Sequence, residues 1–94
     1  PQVMVDVSHA NSSKQHQKQI EVSADVANQV AAGDKRIIGL MIESNAEEGR
    51  QDIVPGQALK PGVSVTDACI SMGQTRPVLA GLAEAVRSRR SAHR

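Results

Sequence analysis

Apolar residues in this 94-residue chain form two short runs and two longer stretches with helical spacing. The segment from Val3 to Ser8 is rich in β-branched residues, which predicts a short and mostly buried strand. From about Lys14 to Ala32 the valines and alanines recur at helical spacing, so we predict an amphipathic helix. Its apolar stripe is predicted to contain Ile20, Ala24, Ala27 and Ala31, with Val22, Val26 and Val30 beside them.

Local signals mark both ends of this first helix. Asn11 and Ser12 precede it, and their side-chain oxygens are of the type that caps a helix N-terminus. Gly33 follows the last helical residue, where a residue in the left-handed conformation commonly ends a helix.

The rest of the chain predicts a second strand, a long loop and a last helix. Ile37 to Ile42 is continuously apolar, as is typical of a strand covered on both faces. Residues 43–74 show no sustained period, and a loop of this length inside a compact domain is commonly functional. Thr75 is the expected N-cap of a helix ending near Arg89, with Pro77 in its first turn. The predicted buried face of this helix consists of Val78, Leu79, Leu82, Ala83 and Val86.

The order strand, helix, strand, long loop, helix makes two βα units and indicates the α/β class. A helical crossover between the two strands implies that they are parallel and that the connection is right-handed. Two such units are a quarter of a (β/α)8 barrel, and a doubly wound sheet is built from the same units.

Composition indicates that residues 1–94 are not a domain by themselves. Phe, Tyr and Trp are absent, so the chain lacks the side chains that usually bury the most area. Because the first strand also begins directly after Pro1, we expect a piece of something larger or one product of a cut.

Charge and cysteine content argue against several partners. Eleven Lys and Arg against ten Asp and Glu give a net charge of +1, which provides no overall attraction to nucleic acid or membrane. The arginine-rich end has no aromatic residues for base stacking, and we interpret it as a solvated helix end. No apolar stretch is long enough for a transmembrane helix. The single Cys69 excludes an internal disulfide, so we expect a cytoplasmic location.

Three candidate metal ligands follow strands or lie in the long loop. His9 closes the first strand run, Glu43 closes the second, and Asp67 lies in the loop. Reacting residues occupy these places in (β/α)8 barrels, which favours the barrel over the doubly wound sheet. One imidazole and two carboxylates suit Mn²⁺, Fe²⁺, Co²⁺ or Zn²⁺ better than Ca²⁺. From spacing alone, a helix-capping His and a Glu paired with Lys or Arg remain alternatives. Arg50, nearby in the loop, is a candidate either for an anionic substrate or for a salt bridge with Glu47, Glu48 or Asp52.

The sequences around these three residues resemble the signatures of one enzyme family. D-V-S-H-A-N-S-S-K at residues 6–14 resembles the D-x-S-H-x-N-S-x-K signature of class I 3-deoxy-D-arabino-heptulosonate 7-phosphate (DAHP) synthases. Residues 39–51 and the V-T-D-A-C-I stretch at 65–70 resemble two later segments of that family in the same order. The family commonly continues with Gly-Trp, whereas this chain has Ser71 and Met72, outside the predicted ligands.

This resemblance implies that residues 1–94 are the C-terminal segment of a single catalytic domain in a metal-dependent transferase. They would form the last two βα units of its (β/α)8 TIM barrel. The implied reaction joins phosphoenolpyruvate to erythrose 4-phosphate with water, giving DAHP and phosphate, as the first step of the shikimate pathway to aromatic amino acids. His9, Glu43 and Asp67 would be three of four metal ligands, the fourth being a Cys from an earlier strand. His9 and Asp67 are also implied as catalytic residues. The missing N-terminal part would be a partner, and the intact enzyme is expected to be a homo-oligomer.

Two alternatives to this interpretation stay open. In the first, the chain is an isolated non-catalytic fragment or a structural complement to another chain. In the second, it belongs to an unrelated metal-dependent barrel lyase. The combined S-H-A-N-S-S-K and T-D-A-C motifs argue against the lyase. The family's phosphate-binding Arg and Lys residues lie upstream, so we expect the 94-residue chain alone to be inactive.

Overall fold

The computed structural model describes residues 1–8 and 15–92, and its elements alternate between strands and helices. The order confirms the predicted strand, helix, strand, long loop and helix, and it adds two short strands within the loop. These features are those of an α/β chain. The elements are β1 (Val3–Asp6), α1 (Lys18–Ala31), β2 (Ile37–Met41), β3 (Ser44–Asn45), β4 (Ile70–Ser71) and α2 (Met72–Ala92).

Strands β1 and β2 pair in parallel, as predicted. Their register runs from Val3 opposite Ile37 to Asp6 opposite Met41, with an irregularity after Val3. One residue beyond β1, the Val7 N–H still donates to the Met41 carbonyl at 3.0 Å. The carboxyl ends of both strands therefore lie side by side, and Glu43 follows β2 at this edge.

The core lies on one side of the β1–β2 pair, where both helices cover it. Side chains on the other side are open, with Met4 65% and Ile38 60% exposed. The prediction that β2 is covered on both faces is therefore wrong for this chain by itself, because the described residues supply helices to one face only. The buried cluster consists of Val7, Val26, Val30, Ile37 and Ala85.

Helix α1 begins later than the predicted start at Lys14. Residues 15–17 form a turn, and the Lys18 N–H donates to the Gln15 carbonyl at 3.0 Å, a spacing of three residues. The helix proper runs from Lys18. The predicted caps, Asn11 and Ser12, lie outside the described residues.

The end of α1 is as predicted at Gly33. This residue has a φ of 111°, a conformation that a side chain with a Cβ rarely adopts. The Gly33 N–H donates to the Val30 carbonyl at 3.0 Å, and the Asp34 N–H donates to the Gln29 carbonyl at 3.2 Å. These two bonds form the Schellman arrangement, which satisfies carbonyls left over at the helix end.

The buried face of α1 differs from the predicted stripe. Gln19 and Ser23 are buried together with Val26 and Val30, whereas Ala24 is exposed. Ile20, Ala24 and Ala27 of the predicted stripe line a groove between α1 and α2 that has a volume of about 440 Å³. Ala27 and Ala31 also pack against the core. The groove is lined by Ile20, Ser23, Ala24 and Ala27 of α1 and by Gly73, Gln74, Pro77, Val78 and Gly81 of α2.

Helix α2 begins at Met72, so the predicted N-cap Thr75 is wrong. The Gln74 N–H donates to Ser71 Oγ at 3.1 Å, and the Ser71 N–H donates to Gln74 Oε1 at 2.7 Å. This reciprocal pair is a capping box with Ser71 as the cap. Thr75 lies one turn inside the helix, where its hydroxyl donates to the Ser71 carbonyl at 2.8 Å. Pro77 consequently falls in the second turn.

Helix α2 buries part of the predicted face, since Leu82 and Val86 are half-buried and Val86 packs against the core. Val78 is buried as predicted, but Leu79 is 53% exposed and Ala83 is exposed, while Thr75 and Ala85 are buried. The buried positions recur at intervals of three and seven residues, which keeps them on the side that packs against α1. Neither helix in the described part of the chain is apolar over enough of its length to cross a lipid bilayer.

Candidate metal site

Glu43 lies two residues past β2, where its backbone is held by a side chain of α1. The Glu43 N–H donates to Gln19 Oε1 at 2.8 Å, and Gln19 Nε2 donates to the Glu43 carbonyl at 3.0 Å. The same carbonyl accepts the Ile70 N–H at 3.1 Å. Gln19 is 1% exposed, so this amide is a buried partner of the polypeptide backbone.

The Glu43 carboxylate faces the end of β1. Ser8 is buried, and its Oγ lies 3.3 Å from Glu43 Oε1 and also within a short hydrogen bond of Asp6 Oδ1. The Ser8 N–H donates to the same Asp6 oxygen at 2.8 Å. The Ser8 hydroxyl is thus within hydrogen-bonding reach of both the Asp6 and the Glu43 carboxylates. These side-chain contacts connect the end of β1 with the end of β2.

Asp67 lies in the loop before β4, and its side chain is exposed. The loop is fastened to the segment after Glu43 by Gly49 and Cys69, whose backbones exchange hydrogen bonds of 2.8 and 3.1 Å. Arg50 adds a bond from its Nε to the Thr66 carbonyl at 2.9 Å. The loop therefore returns to the carboxyl end of β2 instead of extending away from it.

The pKa of the Cys69 thiol depends on burial and on the carboxylates nearby. Burial is the main cause that raises the pKa of the Cys69 thiol, and the negative charges of Glu43 and Asp67 raise it further. Both predicted carboxylate ligands therefore lie close enough to one thiol to disfavour its ionisation.

The two described carboxylates fit a divalent ion by the chemistry of their oxygen atoms, and the third predicted ligand cannot be placed. His9 lies outside the described residues, directly after Ser8 in the sequence. Within residues 1–8 and 15–92, no group of three or more His, Cys, Asp or Glu side chains is arranged to hold a metal ion. Carboxylates with one imidazole would suit a first-row divalent metal, so the ligand set stays a prediction.

Two further interactions lie near this edge, and only the one made by Arg50 was among the predicted alternatives. His16 Nε2 lies 3.2 Å from Glu48 Oε2, which also accepts a bond of 3.2 Å from Gln74 Nε2. Both hydrogen bonds lower the pKa of the Glu48 carboxyl, and the bond to His16 has the larger effect. Arg50 Nη2 forms a salt bridge with Asp52 Oδ1 at 2.8 Å. This is the salt bridge that the sequence predicted as an alternative to binding of an anionic substrate. The His16 and Glu48 pair spans 32 residues, and no local pattern signals such a contact.

Comparisons with known proteins find one family. The family model described as "DAHP synthetase I family" matches residues 1–80. The chain is 54% identical over 92 residues to phospho-2-dehydro-3-deoxyheptonate aldolase of Haemophilus influenzae, covering 98% of this chain and 25% of the relative. It is 56% identical over 94 residues to the tyrosine-inhibited phospho-2-dehydro-3-deoxyheptonate aldolase of Schizosaccharomyces pombe, covering 96% of this chain and 25% of that relative.

A solved structure agrees with these sequence matches. The phospho-2-dehydro-3-deoxyheptonate aldolase from Francisella tularensis SCHU S4 superposes with a TM-score of 0.88 at 48% identity. The match covers 94% of this chain and 25% of that one. The chain thus spans about a quarter of the length of the relatives it matches.

Proposed function

Because the chain belongs to the DAHP synthetase I family, we propose that it forms the C-terminal quarter of a (β/α)8 barrel in a metal-dependent DAHP synthase. The parallel pairing of β1 and β2, with helices on one face only, supports this placement. The apolar side chains of Met4 and Ile38 on the open face suit a barrel interior, which is filled by layers of such side chains.

The observation that carries the proposal is the position of Glu43 at the carboxyl end of β2. Its carboxylate meets Ser8 from the end of β1, and the loop with Asp67 is fastened beside it. In a barrel these places form the face on which chemistry occurs. We therefore assign His9, Glu43 and Asp67 as metal ligands, with a Cys from an earlier strand as the fourth.

The proposed reaction joins phosphoenolpyruvate and erythrose 4-phosphate. The methylene carbon of phosphoenolpyruvate bonds to the aldehyde carbon, and the aldehyde oxygen takes up a proton that water gives up. The oxygen of water bonds to the enol carbon, and the bond from that carbon to the phosphate oxygen breaks, so that phosphate leaves. A bound Mn²⁺, Fe²⁺, Co²⁺ or Zn²⁺ supplies Lewis-acid polarisation of the aldehyde oxygen. We also assign His9 and Asp67 to hydrogen bonds with the reacting groups, since an imidazole N–H donates and a carboxylate accepts.

The rest of the enzyme is proposed to complete this site. Both substrates carry phosphate groups, which require Arg and Lys side chains from earlier strands. Ile53 and Leu59 expose apolar side chains in the long loop, which supports contacts with the rest of the barrel or with a second copy. We propose that the intact enzyme is a cytoplasmic homo-oligomer.

The test uses the intact enzyme that contains this chain. Phosphate release and phosphoenolpyruvate consumption are measured with and without erythrose 4-phosphate, after chelation and after readdition of Mn²⁺. We expect turnover only with both substrates and metal, and a loss of more than about 100-fold in Glu43→Gln and Asp67→Asn. Glu47→Gln, an exposed carboxylate in the same loop, is the matched control and should retain activity. Full turnover after complete metal removal would refute the proposal.

A further inference from the structure

We propose that Gln19 is a positioning residue that fixes Glu43 in the orientation needed to bind the metal ion. This inference rests on the proposed function, because it concerns the same metal site. Gln19 lies in the first turn of α1 and bonds the Glu43 N–H through Oε1 at 2.8 Å and the Glu43 carbonyl through Nε2 at 3.0 Å.

The need for such a residue follows from where the strand pairing stops. The register between β1 and β2 ends at Asp6 opposite Met41, and β2 itself ends at Met41. Glu43 therefore has no pairing with β1 to fix its backbone. Its N–H belongs to the peptide before the residue and its carbonyl to the peptide after it. With both groups bonded to Gln19, and with the carbonyl also accepting the Ile70 N–H at 3.1 Å, the two backbone dihedrals of Glu43 are restrained, and so is the direction of its Cβ.

The side chain that does this is itself held firmly. Gln19 is 1% exposed, and α1 is anchored in the core further along by Val26 and Val30. Burying an amide is unfavourable unless its donor and acceptor are both satisfied, and Glu43 satisfies one of each. The position thus requires a donor and an acceptor side by side, which an apolar residue of the same size lacks.

A second contact shows what this orientation accomplishes. With its backbone fixed, Glu43 directs Oε1 to 3.3 Å from Ser8 Oγ, at the end of the neighbouring strand. Ser8 immediately precedes His9, the predicted imidazole ligand. Gln19 therefore controls the distance between a predicted carboxylate ligand and the chain segment that carries the predicted imidazole, without touching substrate or metal. Groups that orient ligands in this way typically contribute about 10- to 100-fold to metal affinity.

The test is Gln19→Met in the intact enzyme, because methionine keeps nearly the same volume and removes both hydrogen bonds. Gln29→Met is the matched control, the same change at an exposed position of the same helix. Mn²⁺ affinity is measured by calorimetric titration of the metal-free enzyme, and exchange of the Glu43 amide hydrogen is followed in parallel. We expect about 10- to 100-fold weaker Mn²⁺ binding and faster Glu43 exchange in Gln19→Met only.

The outcomes separate this inference from the proposed function. Mn²⁺ affinity in Gln19→Met within about twofold of the parent, with Glu43→Gln strongly weakened, would overturn the role of Gln19 and leave the metal site standing. If the parent does not bind Mn²⁺, or if Glu43→Gln binds it equally well, both the proposed site and the role of Gln19 fall. If Gln19→Met does not fold, Gln19→Asn carries the test. It keeps the amide but shortens the side chain by one methylene, and unchanged affinity in it would likewise refute the role.

Discussion

The reciprocal hydrogen bonds between Ser71 and Gln74 predict how firmly α2 begins. Replacing Ser71 by Ala removes the acceptor that Gln74 N–H meets at 3.1 Å. Loss of a serine N-cap costs about 1 kcal/mol of helix stability. At 25 °C that energy corresponds to about a fivefold change in the equilibrium for opening the first turn. Since β4 leads directly into this turn, the change also loosens the end of the loop that carries Asp67.

Hydrogen exchange of backbone amides in the intact enzyme measures this opening. We expect the Gln74 amide to exchange about fivefold faster in Ser71→Ala, while amides in the middle of α2 keep their rates. Ser88→Ala is the matched control, because Ser88 is an exposed residue well inside the same helix. Equal exchange of the Gln74 amide in the parent and in Ser71→Ala would refute the capping interaction.

Two further predictions concern the loop before β2. Arg89→Met removes the hydrogen bonds that Arg89 donates to the Asp34 and Ile37 carbonyls, at 2.9 and 2.7 Å. It should lower the free energy of unfolding, measured in urea, by about 1–3 kcal/mol. Arg90→Met, at an exposed position, is the control and should leave that free energy unchanged. The side-chain and backbone bonds from Arg36 lower the pKa of Asp34 to about 2 from 3.8, so their stabilisation is present above pH 3.8 and is lost as the pH falls through 2. Arg36→Gln should return the Asp34 pKa towards 3.8 in a carboxyl-carbon NMR titration, and an unchanged pKa would contradict the pairing.

Element order was predictable because it depends on local pattern. The apolar run from Ile37 and the β-branched run from Val3 mark the two strands, and Gly33 marks the helix end through its own backbone preference. The N-terminus of α2 was also within reach of the sequence. Ser71 followed three residues later by Gln74 is a capping-box pattern, which indicates the cap more strongly than Thr75 alone does.

The faces of the helices were less predictable, because they depend on distant partners. Apolar periodicity selected Ile20 and Ala24 for burial, but the buried positions include Gln19 and Ser23. A glutamine is buried favourably here only because Glu43, 24 residues away, offers it a backbone donor and acceptor. Burial of a polar residue through such a non-local pairing leaves no mark in the local sequence.

The candidate site likewise combines features that were predictable from local sequence with features that were not. Glu43 and Asp67 were selected from strand ends and motifs, and the structure fastens their segments to each other through Gly49 and Cys69. The short strands β3 and β4 that complete this connection contain two residues each, too few for any periodicity to appear. The support given by Gln19 was likewise invisible from sequence. The ligand role of His9 stays a prediction.

The most direct test of the central claim is anomalous diffraction from a crystal of the intact enzyme grown with Mn²⁺. We predict one strong manganese peak within coordination distance of His9, of the Glu43 carboxylate and of the Asp67 carboxylate. A peak elsewhere in the enzyme, or no peak at saturating Mn²⁺, would contradict the proposal that these three residues form the metal site.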